Sequence, residues 1–241
     1  NEPKPSNWIS RQHYLRWQIQ KGLILYTGLT DKAFGIRHAD HTAVNRSALG
    51  FGQSDQSHGV TLQNMNDLYD ISANAFIGNL SQDKESRQQG VALTGEYYPD
   101  KMFSLGGSAL SSESDFKAER RYALLSRIGF AKGKSFLFEL GQYDNKSKTT
   151  VVKDSRGYYS FMQGLVDLEQ GYNFLTTYQI LKPDGTATST STETNILTLG
   201  FLIFPLQRTE FRIEAANVRS LAQENTNPDQ WSLQGQVHTS W

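Results

Sequence analysis

Cysteine is absent from the 241 residues, which removes disulfides, thiolate metal ligands and cysteine nucleophiles. No apolar run approaches the roughly 18 residues that a membrane-crossing helix needs. Neither charge sign is in excess. Lys+Arg and Asp+Glu both number 24, so no global basic field exists to draw nucleic acid. No secretory leader opens the chain, so Asn1 is read as a processed or truncated start. A phosphate-cradling glycine loop, a dinucleotide fingerprint and a G-x-S-x-G nucleophile elbow are all missing. Hydrophobic residues are only 37%, yet aromatics reach 12%, and mean hydropathy is −0.53. A soluble all-β protein fits that balance. So does a transmembrane β-barrel, whose strands are apolar on one face only.

What the chain does have is alternation, with little helical periodicity. Segments of about ten residues alternate apolar and polar side chains, which a strand sends to opposite faces. They predict thirteen strands: 12–20, 22–36, 58–66, 68–80, 90–98, 101–112, 120–131, 134–143, 157–169, 171–182, 195–206, 209–219 and 231–241. In 134–143, Phe136, Phe138 and Leu140 oppose Ser135, Leu137, Glu139 and Gly141. In 209–219, Phe211, Ile213 and Ala215 oppose Arg212, Glu214 and Ala216.

The connections discriminate further. Tight turns at Gln20-Lys21-Gly22, Asn66-Asp67, Pro99-Asp100, Lys132-Gly133, Gln170-Gly171 and Gln207-Arg208 alternate with long polar stretches at 37–57, 81–89, 113–119, 144–156, 183–194 and 220–230. A soluble sandwich has no reason to keep every tight turn on one side, whereas an outer-membrane barrel does. Aromatics near strand ends, at Tyr97, Tyr98, Phe103, Phe130, Tyr143, Tyr158, Tyr159, Tyr172 and Trp231, suit interfacial girdles. The expected fold is an up-and-down antiparallel transmembrane β-barrel, one domain over 1–241, with 37–57 as a long polar loop, extracellular or folded into the pore.

The last strand, WSLQGQVHTSW, carries Trp231, Leu233, Gly235, Val237 and Trp241 on one face. It resembles the C-terminal assembly signal of bacterial outer-membrane β-barrel proteins, which implies an outer-membrane location, contact with lipid and delivery to the barrel-assembly machinery. Thr239 departs from the apolar residue usual in such signals. Single-chain barrels normally have even strand numbers with both termini periplasmic. Thirteen strands would leave Asn1 outside the cell, so a missing upstream strand, and fourteen or more in total, is expected.

Candidate chemistry concentrates in 31–58, which holds Arg37, His38, Asp40, His41, Arg46, Ser47, Asp55 and His58. A metal site would need further ligands at fixed geometry, and Ser-His-Asp hydrolysis would need His41 or Ser47 beside a carboxylate. A polar loop lining the pore is the simpler reading. The stretch Lys32, Ala33, Phe34, Gly35, Ile36 resembles in outline the K-x-P-F-G-L stretch of phosphate-selective porins, with Ala33 in the proline position. That resemblance implies a porin and little about the solute. The polar faces place Arg16, Lys32, Arg121, Arg127 and Arg212 against Asp70, Glu96, Glu139, Asp167 and Glu214 as pore-lining candidates, because charges on a lipid face cost about 2–4 kcal/mol each near the midplane. Three functions follow. One is a passive porin for small polar solutes or ions. Another is a barrel sheathing a lipoprotein, plug or cytochrome partner in its lumen. The third is an outer-membrane hydrolase. Neither a cofactor nor a resident metal is expected, and a homo-oligomer is compatible with all three.

Overall fold

A computed structural model describes residues 12–36, 43–47, 49–51, 55–149, 154–184, 193–221 and 229–239. Thirteen antiparallel strands follow one another in a single sheet in chain order. They are β1 (His13–Gln20), β2 (Leu23–Thr30), β3 (Ser57–Met65), β4 (Tyr69–Phe76), β5 (Gln89–Asp100), β6 (Phe103–Glu113), β7 (Lys117–Ala131), β8 (Lys134–Ser147), β9 (Ser155–Glu169), β10 (Tyr172–Pro183), β11 (Glu193–Leu206), β12 (Thr209–Leu221) and β13 (Asp229–Thr239). This is the up-and-down meander that alternation and tight turns dictate, because neighbours in sequence pair as neighbours in space. Among the described residues no helix is long and apolar enough to cross a membrane.

Every strand expected from the sequence is present, with altered ends. The second ends at Thr30 rather than at residue 36, and the chain then leaves the sheet. The connection expected over 113–119 shrinks to residues 114–116, because β6 and β7 extend their pairing as far as Glu113↔Ala118. It is therefore no longer than the tight β3–β4 turn at 66–68, so the alternation of long and short connections has an exception there.

The sheet presents an apolar outer face. Leu93, Leu124, Leu199, Phe201 and Ile213 are all exposed there, while their neighbours in sequence point inward. Exposed aromatics mark both ends: Tyr97, Phe103, Phe130 and Tyr172 near the tight turns, Tyr158 and Trp231 near the long connections. Three expected girdle residues are corrected. Tyr98 is half-buried and shares the inward parity of Ala92 and Glu96 on β5. Tyr143 and Tyr159 are 7% and 1% exposed and point inward, because their strand parity is that of Glu139 rather than of Leu140. The sheet is open between β1 and β13, both wholly exposed edge strands. Being odd-numbered members of one antiparallel meander, these two edges run in the same direction.

Candidate functional site

The apolar cluster of this protein lies on the inner side of the sheet. The connection from β2 to β3 turns inward and lays Ala33, Phe34, Ile36, Val44, Leu49 and Phe51 against Phe76, Ala92, Leu110, Ala123, Leu125, Tyr143 and Tyr159 of the wall. Each large side chain buried this way contributes roughly 1.5–3 kcal/mol. The rest of the inner wall is mixed, with Phe161 and Leu175 buried beside Ser104, Ser108, Thr177 and Gln179, and the loop adds apolar surface to it. A short helix α1 (Val44–Ser47) ends the crossing beside β9 and β10.

Polar anchors fix the loop's path. Glu139 on β8, 0% exposed, accepts hydrogen bonds from the Ile36 backbone N–H (2.8 Å), Asn45 Nδ2 (2.8 Å) and the Tyr159 hydroxyl (2.7 Å). Three donors satisfy a carboxylate that burial would otherwise make expensive. Gly35 has φ +69°, and a Cβ there would meet Glu139 Oε1 at 2.8 Å, so the loop needs glycine for both backbone and space. A Cβ at Gly141 would strike the Tyr159 ring, so this glycine lets the ring lie flat on β8 and reach Glu139. The Gly35 N–H donates to Ser108 Oγ (3.1 Å), which also pairs with Thr94 Oγ1 (2.7 Å). On the far wall the Val44 N–H donates to Gln179 Oε1 (2.6 Å).

Charged groups surround the loop. Lys32 Nζ pairs with Asp55 Oδ1 at 2.8 Å and lies 5.4 Å from the Phe76 ring centroid. The Arg121 guanidinium stacks 4.4 Å over Phe51 and donates to Glu119 Oε2 (2.9 Å), and Lys117 also pairs with Glu119. Burial pushes the Asp55 carboxyl above its usual range, and the facing Lys32 ammonium opposes that shift.

Cavities remain on either side. Toward the tight-turn end a 330 Å³ cavity is lined by residues including Tyr26, Asp31, Gln63, Asp70, Glu96 and Arg127. Toward the long-connection end a 190 Å³ cavity is lined by residues including Lys32, Asp55, Ser57, Lys117, Glu119 and Arg121.

The ten charged residues singled out in the sequence thus separate. Lys32 lies in the loop rather than on a strand; it and Arg121 pack against the loop and line the cavity at the long-connection end, while Glu139 is fully buried beneath the loop. Asp70, Glu96 and Arg127 form the wall near the tight turns, with Arg127 bound to Glu96 through Nε and Nη2, each at 2.8 Å. Arg212 and Glu214 pair at 2.6 Å on β12, away from the loop. Arg16 sits on the exposed edge strand β1 in register with Tyr26, and Asp167 at the tight-turn rim, where its N–H donates to the Gly133 carbonyl. In the loop, Arg46 is buried and donates to the Phe51 carbonyl at 3.2 Å, and Ser47 Oγ donates to the Ala43 carbonyl. Arg37, His38, Asp40 and His41 lie outside the described residues. His58 heads β3, meets His13 edge-on at 5.5 Å and accepts from the Leu80 N–H. Among the described residues no three His, Cys, Asp or Glu side chains converge as metal ligands would. Trp231, Leu233 and Val237 share one exposed face of β13 with Gly235, and Trp241 lies outside the described residues.

Sequence reading missed Asn45, Phe51, Tyr159 and Gln179. A signal was there. A loop meant for bulk water has no use for Phe34, Ile36, Val44, Leu49 and Phe51, and that apolar content pointed inward.

No protein-family model matches the chain, and no curated protein resembles it in sequence. Solved structures do. The outer membrane channel DcaP of Acinetobacter baumannii superposes with a TM-score of 0.70 at 11% identity, over 90% of this chain and 71% of that one. The loop L8 deletion mutant of OmpT, an outer membrane protein of Vibrio cholerae, gives 0.74 at 8% identity, over 96% and 80%. An anion-selective porin from Comamonas acidovorans gives 0.54 at 12%, over 78% and 58%.

The chain has the fold of an outer-membrane β-barrel. In that fold the exposed apolar face corresponds to the lipid face, and the side that carries Phe34, Ile36, Val44 and Phe51 to the lumen.

Proposed function

We propose that this protein resides in a bacterial outer membrane and is a channel for passive diffusion of small polar solutes or ions. One observation carries the reading. A folded-in loop, held by the buried Glu139 cluster, narrows the lumen while leaving charged, water-accessible space on both of its sides. A barrel serving as a sheath would need that interior for its partner, and here the chain's own loop occupies it. Asp70, Glu96, Arg127, Arg212 and Glu214 then line the passage, while Lys32, Arg121 and Glu139 set its width through the loop. The outward row Trp231, Leu233, Gly235 and Val237 fits recognition by the barrel-assembly machinery.

Planar-bilayer recording on the protein purified from membranes tests the reading. Stable current steps proportional to salt are expected. Silence from a folded, heat-modifiable barrel would mean that the lumen is filled, and the channel reading would fall.

Closure is part of the same proposal. Backbone groups on a lipid-exposed sheet edge cost several kcal/mol each when unpaired, so open edges do not persist in a bilayer. Edges that run the same way cannot join in antiparallel fashion. We infer an odd number of further strands between β13 and β1, making fourteen or more. The cysteine-free chain offers a clean test. With one strand between them, the edges stand about 10 Å apart, beyond the roughly 7 Å Cα separation that a disulfide tolerates. Cysteine pairs scanned along β1 and β13 should therefore stay reduced under oxidant. Ready cross-linking of any pair would show the edges to be direct neighbours.

A further inference from the structure

The two cavities flanking the loop differ in the balance of charge in their linings. On the tight-turn side the cavity lining holds three carboxylates, Asp31, Asp70 and Glu96, against one guanidinium, Arg127. On the other side it holds Lys32, Lys117 and Arg121 against Asp55 and Glu119. We propose that the loop divides the passage into two chambers of opposite sign, and that Asp70 and Glu96 make the tight-turn chamber the cation-selecting step. This rests on the channel reading and adds a direction to it.

The reasoning is electrostatic. Fixed charges in a narrow cleft with low-dielectric walls focus the field and concentrate counter-ions. Asp70 is held by the neutral amide of Gln63, whose Nε2 lies 2.9 and 3.0 Å from its two oxygens, so its carboxylate is oriented without being neutralised by that contact. Tyr26 in turn donates to Gln63 Oε1 at 3.3 Å, which fixes the amide. Glu96 is held by Arg127 and by Ser104 Oγ (3.0 Å), so removing either member of the Arg127–Glu96 pair changes the chamber's charge in a known direction. A small cation leaving the tight-turn chamber meets the cationic one next, and an anion meets the two in reverse order. Such an axial step of fixed charge makes the current depend on the sign of the voltage.

Single-channel recording on wild-type protein and on Asp70→Asn, Glu96→Gln and Arg127→Gln tests this, with heat-modifiability showing that each variant is folded. In symmetric low salt each wild-type channel should rectify, with the sense set by its direction of insertion. Under a KCl gradient D70N should shift the reversal potential away from cation preference. E96Q removes one negative charge from the same chamber and should shift it the same way, and R127Q should shift it the opposite way. Rectification should vanish near 1 M salt, where screening acts over about 3 Å. Open channels with linear currents, or reversal potentials unmoved by all three variants, would overturn the two-chamber assignment and leave the channel standing. Folded protein that never conducts would overturn the channel reading, and this inference with it.

Discussion

At the scale of single residues, Glu139 holds the greatest structural consequence. Replacing it with alanine leaves the Ile36 N–H, Asn45 Nδ2 and the Tyr159 hydroxyl without their acceptor. Each buried group so stranded costs about 1–3 kcal/mol, enough to undock the loop. Glu139→Gln should be far milder. Its oxygen can serve Ile36 and Asn45, while its amide donates to a reversed Tyr159 hydroxyl. Limited proteolysis within 37–56 checks this: rapid cleavage in E139A and near-native protection in E139Q are expected. Gly35→Ala should behave like E139A, because the left-handed φ and the Glu139 oxygen 2.8 Å from the new Cβ both oppose it. Protection retained in G35A would mean that the loop backbone is free to move aside.

At the scale of the element, the loop answers to acid through Asp55. Its carboxyl is raised when the loop is docked, so the docked form binds a proton more readily than the undocked form. Docking therefore strengthens as pH falls through the raised Asp55 range and weakens as pH rises through it, levelling off above. Lys32, Arg121 and Glu119 face the same carboxyl, with Lys32 Nζ 2.8 Å from it. Loop protection measured against pH should increase on acidification in the wild type. Asp55→Asn, a permanently uncharged amide, should flatten that response. An equal response in both would assign the effect to another group. Deleting residues 38–54 should enlarge the single-channel conductance, since the wall behind the loop is intact without it; an unchanged conductance would place the narrowest point elsewhere.

For the whole molecule, the two faces set what substitutions are tolerated. Leu124 stands mid-strand on the outer face of β7 and is 60% exposed. Leu124→Arg should lower folding stability in lipid vesicles by about 2–4 kcal/mol, the cost of a cation near the bilayer midplane. Thr198→Arg, on the inward face of β11, should cost little, because the lumen hydrates the charge. Urea titration of both variants in vesicles measures the difference, and equal costs would mean that the faces are misassigned.

Legibility in the sequence followed the range of the physics. Period-two alternation is local, so the thirteen strands, their pairing order and the facing of Phe211 and Ile213 away from Arg212 and Glu214 could be read directly. Strand ends were less legible, because β6 and β7 lengthen each other through partners that neither segment specifies alone. The lumen charges were found, but not their company. Nothing near Glu139 in sequence says that Ile36 and Asn45, about a hundred residues away, will meet it.

The sequence by itself determined a one-face-apolar meander of antiparallel strands and the polarity of each face, because both depend on neighbours one or two residues apart. Only the tertiary structure decided that the β2–β3 connection turns inward, that Tyr143 and Tyr159 line the interior rather than a girdle, and that Asp70, Glu96 and Arg127 line a different cavity from Lys32, Lys117 and Arg121. Those outcomes depend on apolar loop residues finding a wall assembled from strands far along the chain, where burial of Phe34, Ile36 and Phe51 outweighs their exposure to water.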